Sequence, residues 1–304
     1  MASEVHLVVV GPGGGADLRL VHEARCRLEH LERRWSRFLP GSDITRLNVS
    51  AGEPIEVDAD TITLFVAMRD AWGRTGGRFD PTVLPALVGA GYGASKEDPD
   101  LVTAIPAGAV SGGCMADIVV DPERGTVAVP REVAVDPGGL GKGLAADLVV
   151  GALLDAGATG ALVAVGGDLA MAGEPPDASG WRVEVEHPDA SLGMLCTVSV
   201  NGGGIATSST RSRRWVVDGR SHHHVIDPAT GVESVTDLAS VTVFARSGWL
   251  AEAYATAALL VGSATVLDEL ERHELTGVAV ALDGRILATP DLEPAVHTVT
   301  GSVP

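Results

Sequence analysis

Residues 118–129 have the sequence IVVDPERGTVAV, in which two short apolar segments flank Asp-Pro-Glu-Arg-Gly. Proline and glycine at such a position favour a turn, so this stretch predicts a β-hairpin. Downstream, strands are predicted at 133–135, 161–165, 181–186 and 195–200, and a helix from about 143 to 154. This mixture of hairpins and helices predicts an α+β fold of mixed, largely antiparallel sheets with flanking helices, and not a regular βαβ winding.

The remaining segments fit the same fold class. Apolar residues recur at helical spacing in three more places, each bounded by residues that commonly begin or end a helix. Helices are predicted from 17 to about 37, from 61 to 73 and from 247 to 262, strands at 5–10, 278–282 and 286–288, and a loop at 89–113. The segment at 165–173, VGGDLAMAG, predicts mainly a strand-turn-strand, although its glycines would also admit a close ligand. The sequence has no fixed-period repeat or linker, so it predicts one domain over 1–304, or one domain of two lobes.

The composition restricts the classes of partner. The chain has 304 residues and 45% hydrophobic composition, and its 22 Lys and Arg against 40 Asp and Glu give a formal charge of -18. Such an acidic chain repels phosphate backbones and anionic lipids, so neither nucleic acid nor a membrane is expected as a partner. The N-terminal residues lack the features of a signal peptide, and no apolar run has the length of a membrane span, which predicts a cytoplasmic location.

A glycine-rich segment at 135–147, VDPGGLGKGLAAD, follows a predicted strand and opens a predicted helix. Backbone N–H groups at a helix start, glycines without a Cβ and the ammonium of Lys142 together suit a phosphate group. The segment is not a P-loop, because no Ser or Thr follows the lysine and the Walker spacing is absent. A tight strand-to-helix turn without a ligand explains the same residues, so both interpretations stay open.

Another candidate lies in the last long predicted helix, at 250–262, LAEAYATAALLVG. Glu252 and Thr256 are four residues apart and therefore share one helix face. A carboxylate and a hydroxyl are hard oxygen ligands of the kind that Mg²⁺ accepts. A solvated pair or a local hydrogen bond is the alternative.

Asp-Pro occurs in three similar contexts: FDP at 79–81, VDP at 135–137 and IDP at 226–228. Proline holds the preceding residue in extended geometry, so each motif predicts a strand end followed by a rigid turn with an outward carboxylate. The alternative for each is that the Asp bonds its own turn. The last motif follows three histidines, in SHHHVIDPATG at 221–231. Adjacent side chains point in different directions, so this run is not predicted to be a metal cluster.

These segments recur together in one known family. SRFxPxSDITRLN, GGRFDPTVxP, DPGGLGKG with Asp147, VGGD, ATSS at 206–209, HVIDPATG and LAEAYATA occur in this order, and over essentially the whole chain they resemble the ApbE family of FAD:protein FMN transferases. The resemblance implies a single ApbE-like domain. It also implies an activity, in which FAD is split at its diphosphate, FMN is joined to a Thr or Ser of an acceptor flavoprotein, and AMP leaves.

The resemblance also implies roles for particular residues. His224 aligns with a family histidine and is the candidate general base, with a structural histidine bonded to the turn as the alternative. Mg²⁺ is the implied metal, held by Glu252, the Thr256 hydroxyl and the carbonyl of Gly139, with Ala255 as a further backbone contributor. The positions implied at the flavin nucleotide are Met1, Phe38, Arg78, Phe79, Asp80, Asp136, Lys142 and Val225. Phe38 and Phe79 are expected to stack on a ring, and otherwise to pack in the core.

Several departures from the family pattern leave alternatives open. Glu252 stands where the family usually has Asp, and its extra methylene shifts the carboxylate by roughly 1 Å or more at a metal that tolerates little geometric error. One competing function is FAD binding without catalysis, in which Glu252 marks lost metal chemistry. Another is hydrolysis of FAD to FMN and AMP, with water in place of the acceptor. Many relatives carry an export signal, whereas here the family's start motif coincides with the N-terminus, which again predicts a cytoplasmic acceptor. Thr230 in DPATG superficially matches an acceptor motif, although a turn is the favoured interpretation.

Overall fold

The computed structural model describes residues 4–12, 17–217 and 219–292. Its helices are α1 (Leu18–Trp35), α2 (Asp43–Asn48), α3 (Ala59–Arg74), α4 (Leu84–Gly89), α5 (Gly141–Asp155), α6 (Gly248–Leu260) and α7 (Val266–Arg272), with short 3-10 turns at Pro81–Val83, Met115–Asp117 and Ala190–Leu192. Its strands are β1 (Val5–Val10), β2 (Ile55–Glu56), β3 (Val119–Asp121), β4 (Thr126–Ala128), β5 (Gly160–Val165), β6 (Asp168–Gly173), β7 (Trp181–Glu186), β8 (Met194–Val200), β9 (Gly203–Ser209), β10 (Arg214–Val217), β11 (Arg220–His223), β12 (Ile226–Asp227), β13 (Val232–Glu233), β14 (Leu238–Ala245), β15 (Thr276–Ala281) and β16 (Ile286–Ala288).

The predicted fold class is confirmed: helices accompany sheets whose strand pairs are antiparallel. The chain divides into two compact units. Among the described residues, the first unit comprises 27–141 and 213–234, and the second comprises 4–26, 142–212 and 235–292. Within the part of the chain that the structure describes, no helix has both the length and the apolar composition needed to cross a bilayer.

The second unit is built on a seven-stranded sheet, counted over the described residues, with strand order β1-β5-β6-β9-β14-β15-β16. The hairpin β7–β8 covers part of it, because β7 alternates buried and exposed residues and its buried side chains, including Trp181 and Val183, join sheet residues such as Met171 in one apolar cluster. Helix α6 packs on β9 and β14. This packing fixes the position of α6, which carries Glu252 and Thr256.

The first unit contains the hairpin predicted at 118–129. Strands β3 and β4 pair antiparallel with Val120 opposite Val127, and β2 extends this small sheet. Two further hairpins, β10–β11 and β12–β13, belong to the same unit. His222 and His223 lie in β11, and His224 lies between β11 and β12, so the run is held among short paired strands.

The strand predicted at 133–135 is wrong. In the described part of the chain this segment is buried and pairs with no strand, and the side-chain amide of Asn48 bonds both backbone groups of Val135. The Val135 N–H donates to Asn48 Oδ1 (2.8 Å), and Asn48 Nδ2 donates to the Val135 carbonyl (3.0 Å). Buried backbone groups need partners, and one asparagine provides here what a strand would otherwise provide.

Candidate active site

The N-terminal turns of α5 and α6 approach each other backbone to backbone. A Cβ added at Gly143 would lie 2.3 Å from the Gly248 carbonyl oxygen, and one added at Gly204 of β9 would lie 2.2 Å from the Gly248 nitrogen. No side chain fits at such distances, so this contact requires glycine at each position. The close approach lets side chains of one helix reach the first turn of the other.

Each helix uses a carboxylate to satisfy the start of its partner. Asp147 of α5 accepts the N–H groups of Gly248 (2.8 Å) and Trp249 (3.0 Å) of α6. In return, Glu252 Oε2 of α6 accepts the Gly143 N–H of α5 (2.8 Å). These donors belong to first turns, which lack intrahelical acceptors. Ser247 occupies the predicted N-cap position of α6, but its side chain makes no capping bond, since Asp147 performs that function.

Lys142, Asp168 and Glu252 meet beside this helix contact. The Lys142 ammonium bonds Glu252 Oε1 and lies 2.7 Å from Asp168 Oδ2. Both carboxylates are almost fully buried, with Glu252 3% exposed and Asp168 4% exposed. Asp168 Oδ1 also accepts the Thr207 N–H at 3.3 Å. Asp168 belongs to the predicted strand-turn-strand and to the VGGD segment of the family resemblance, but it is not among the predicted site residues.

Burial dominates the ionisation of Glu252. Removal from water raises the pKa of its carboxyl to about 7, because the charged form loses hydration. The Lys142 ammonium opposes this rise, and the negative charge of Asp168 adds to it. The two carboxylates share one ammonium, so the cluster has one more negative than positive charge when all three groups are ionised.

Hydroxyl groups lie one helical turn away. The Thr256 hydroxyl is 3.0 Å from the Ser208 hydroxyl of β9. Ala255, the predicted backbone contributor, is fully buried in α6. Carboxylate and hydroxyl oxygens form a hard donor set, so the residues present in this unit fit Mg²⁺ chemically.

The contact between α5 and α6 can be tested through the pH dependence of stability, because it contains the buried carboxyl of Asp147. Burial raises the pKa of its carboxyl from 3.8 to about 6, although the N–H groups of Gly248 and Trp249 oppose the rise. The folded protein thus holds this proton more tightly than the unfolded chain, so the stabilisation is full below pH 4 and is lost as the pH rises through 6. The measured quantity is the difference between the unfolding free energies of the wild type and of Asp147→Asn. We expect this difference to fall by about 3 kcal/mol as the pH rises from below 4 to above 6.

Urea unfolding of both proteins between pH 4 and pH 7.5 measures this difference, since the asparagine does not titrate and other groups cancel. A difference that stays constant with pH would mean that Asp147 has the same pKa in the folded and unfolded chains.

The three Asp-Pro turns are close together in the first unit. The Asp136 N–H donates to the Pro81 carbonyl (2.8 Å), which joins the second turn to the first. The Asp80 carboxylate accepts the N–H groups of Thr82 (2.8 Å) and Gly113 (2.6 Å). A Cβ at Gly112 would lie 2.9 Å from the Pro228 carbonyl oxygen of the third turn. The loop at 112–113 therefore contacts both the first and the third turn. Asp80 also bonds its own turn, which is the alternative that the sequence left open for this motif.

Arg37 connects two of the predicted flavin-nucleotide residues. Its guanidinium lies over the Phe38 ring, 4.3 Å from the centroid, and its Nε is 3.1 Å from Asp136 Oδ2. Tyr92 packs edge-on against Phe38 and stacks on Trp215, with ring centroids 6.4 and 5.3 Å apart. The SRF motif contains Arg37, so sequence reasoning had a local signal for it. Tyr92 and Trp215 lie outside every quoted motif.

Glu233 of β13 bonds two of the three histidines in the run. His222 Nδ1 lies 2.9 Å from Glu233 Oε2, and the His223 N–H donates to Glu233 Oε1 (2.6 Å). Burial lowers the pKa of His223, with Glu233 opposing that shift. His224 follows the end of β11 and is half-buried. Over the described residues, one group of three or more potential metal ligands has its ligand atoms within 4.8 Å of one another, namely His30, Asp58 and Asp60, and it does not include the histidine run.

The remaining predicted residues have varied environments. Phe79 is 3% exposed and Val225 5% exposed, so both pack inside the first unit, whereas Arg78 is exposed and donates to the Thr75 carbonyl (3.4 Å). Gly139 lies in the turn before α5, in the first unit, while Lys142, Glu252, Ala255 and Thr256 belong to the second. Met1 lies outside the described residues.

Comparisons with known proteins agree with the resemblance. The chain is 29% identical over 251 residues to the FAD:protein FMN transferase of Klebsiella pneumoniae, covering 79% of this chain and 70% of that protein. It is 30% identical over 286 residues to the FAD:protein FMN transferase of Rhodobacter capsulatus, covering 90% of this chain and 53% of that protein.

Solved structures share the fold. The ApbE protein of Thermotoga maritima superposes with a TM-score of 0.82 at 24% identity, covering 97% of this chain and 98% of that chain. The flavin transferase ApbE of Vibrio cholerae gives 0.79 at 24% identity, covering 97% and 96%. The sequence profile of the ApbE family matches residues 1–281. The chain therefore belongs to the ApbE family.

Proposed function

We propose that this protein transfers FMN from FAD to a Thr or Ser hydroxyl of an acceptor flavoprotein and releases AMP, with the whole chain, 1–304, acting as one ApbE-like domain. The observation that carries the proposal is the buried cluster of Lys142, Asp168 and Glu252 at the start of α5. Two buried carboxylates at a glycine-rich helix start are suited to a bound cation, and phosphoryl transfer depends on neutralised charge and in-line positioning. The relatives' name supplies FAD and a protein as substrates.

Mg²⁺, when bound, would neutralise negative charge on the FAD diphosphate. Glu252 and Thr256 would supply side-chain oxygens from one face of α6, which packs on β9 and β14 of the sheet. The backbone carbonyls of Gly139 and Ala255 remain predicted ligands from the family resemblance.

His224 is proposed as the general base that removes the proton of the acceptor hydroxyl. Imidazole titrates near neutral pH, and the short paired strands around the run favour a fixed orientation of this side chain. The positions proposed to form the flavin-nucleotide site are those that the family resemblance implies: Met1, Phe38, Arg78, Phe79, Asp80, Asp136, Lys142 and Val225. The guanidinium that links Phe38 to Asp136 supports a role for this pair, since a cation beside an aromatic ring suits a planar, phosphate-bearing ligand.

The experiment is incubation of the purified chain with FAD, Mg²⁺ and candidate acceptors. Intact mass spectrometry should find an acceptor heavier by one FMN phosphoester, with one AMP released per modification. Release of AMP at the same rate without an acceptor would instead identify an FAD pyrophosphatase. Retention of FAD with no AMP under any condition would identify a non-catalytic binding protein. The cytoplasmic location stays a prediction, and the compartment of the acceptor tests it.

A further inference from the structure

We propose that Asp168 is a second carboxylate ligand of the divalent cation, and that the Lys142 ammonium and this cation compete for the Asp168–Glu252 pair. The inference rests on the proposed function, because it concerns the metal that the function requires. It adds one ligand to the set expected from the family resemblance, and it gives Lys142 two alternating partners.

The orientation of the oxygens of Asp168 and Glu252 is the first reason to place a divalent cation here. A backbone N–H anchors one oxygen of each group: Glu252 Oε2 accepts from Gly143, and Asp168 Oδ1 accepts from Thr207. The other oxygen of each group, Glu252 Oε1 and Asp168 Oδ2, faces the Lys142 ammonium. Backbone bonds thus hold both carboxylates in place without a metal. Each carboxylate presents its other oxygen to the same cation position.

The charge of the Asp168–Glu252 pair is the second reason to place a divalent cation here. When both are ionised, these two carboxylates, each more than nine-tenths buried, carry two negative charges, and one ammonium compensates only one of them. Buried charges need close compensation because they have lost their hydration. A divalent cation matches the pair in charge, and carboxylate oxygens are the ligands that Mg²⁺ and Mn²⁺ prefer.

Competition follows from the geometry. The ammonium is already in contact with both oxygens that a metal would take, and two cations do not share so small a buried volume without strong repulsion. The lysine stem is flexible, so its ammonium moves when the metal binds. Lys142 then becomes available to an anionic phosphate, which reconciles its position beside two carboxylates with its predicted place at the flavin nucleotide.

Lysine labelling tests this exchange directly. The chain has only two lysines, Lys96 and Lys142, and Lys96 is exposed, so it serves as an internal reference. We expect saturating Mn²⁺ to increase reductive methylation of Lys142 relative to Lys96 by roughly fivefold or more, because an amine released from the two carboxylates is more accessible to the reagent. Potassium chloride at equal ionic strength should leave the ratio unchanged. A Lys142 rate that is unchanged or lower with bound Mn²⁺ would overturn the exchange.

Mn²⁺ titration followed by electron paramagnetic resonance tests Asp168. Asp168→Asn is expected to weaken binding by about tenfold or more, and Lys142→Met to strengthen it by a similar factor. Glu269→Gln is the matched control, since Glu269 is another buried carboxylate of the second unit, paired with Arg272 and His273. Wild-type affinity in Asp168→Asn, or no Mn²⁺ binding by the wild type, would overturn the assignment. Neither assay contains FAD or an acceptor, so a failure here is distinct from a failure of FMN transfer.

Discussion

Glu252→Gln is expected to reduce FMN transfer at saturating FAD and Mg²⁺ by at least roughly a hundredfold. Glutamine keeps the size of the side chain but removes the charge that a divalent cation requires. The fold should tolerate it, because burial raises the pKa of Glu252 to about 7 and the site therefore accommodates an uncharged side chain near neutral pH. The measurement is the initial rate of mass gain of the acceptor, with the melting temperature recorded for each variant.

Two further variants serve as controls for Glu252→Gln. Glu269→Gln neutralises a buried glutamate of α7, whose contacts are Arg272 and His273, and should transfer FMN at the wild-type rate. Glu252→Asp restores the residue that the family usually has and should keep most of the activity, since the carboxylate remains. Full activity in Glu252→Gln would show that the metal does not depend on this carboxylate, and equal loss in Glu269→Gln would point to a general effect of buried charge.

The fold was predictable where the local pattern was strong. The hairpin at 118–129 formed as predicted because its turn residues and apolar segments agree. Strand β14 was not predicted. Its six residues from Leu238 to Val243 are all buried, including Ser240 and Thr242, so it lacks the buried-exposed alternation that identifies a half-buried strand. Its neighbours in the sheet, β9 and β15, determine its conformation, and they are distant in sequence.

The candidate site was predictable only in part, for a related reason. Lys142 and Glu252 are 110 positions apart, and each was found separately through its own motif. Their direct bond depends on the glycine contact between α5 and α6, which no local pattern indicates. Asp168 was overlooked because VGGD is also an ordinary turn sequence, and only the sheet brings its carboxylate to the lysine.

The histidine run illustrates how tertiary partners distinguish residues of the same type. The sequence alone offers three adjacent imidazoles. Glu233, ten or eleven positions downstream, bonds the side chain of His222 and the backbone of His223. This gives His222 a clear structural role and makes it a suitable comparison for His224, whose proposed role is catalytic.

His224→Ala is expected to lower the rate of FMN transfer by about 10² to 10⁴-fold, the usual contribution of a general base. Mn²⁺ affinity should remain that of the wild type, because the metal ligands proposed from side chains are on other segments. Because only the wild type carries this base, the pH dependence of its rate should differ from that of His224→Ala, in which the ionisation of Glu252 remains. Added free imidazole should restore part of the lost rate.

His222→Ala provides the control for this prediction. It removes the bond to Glu233 and tests whether loss of an imidazole from the run is enough to impair the site. A base at His224 requires that His222→Ala transfers FMN with nearly the wild-type rate and pH dependence. If both variants lose activity equally, keep the same pH profile as the wild type and gain nothing from imidazole, the histidines act by holding the strand framework, and the proton of the acceptor hydroxyl must leave through another group.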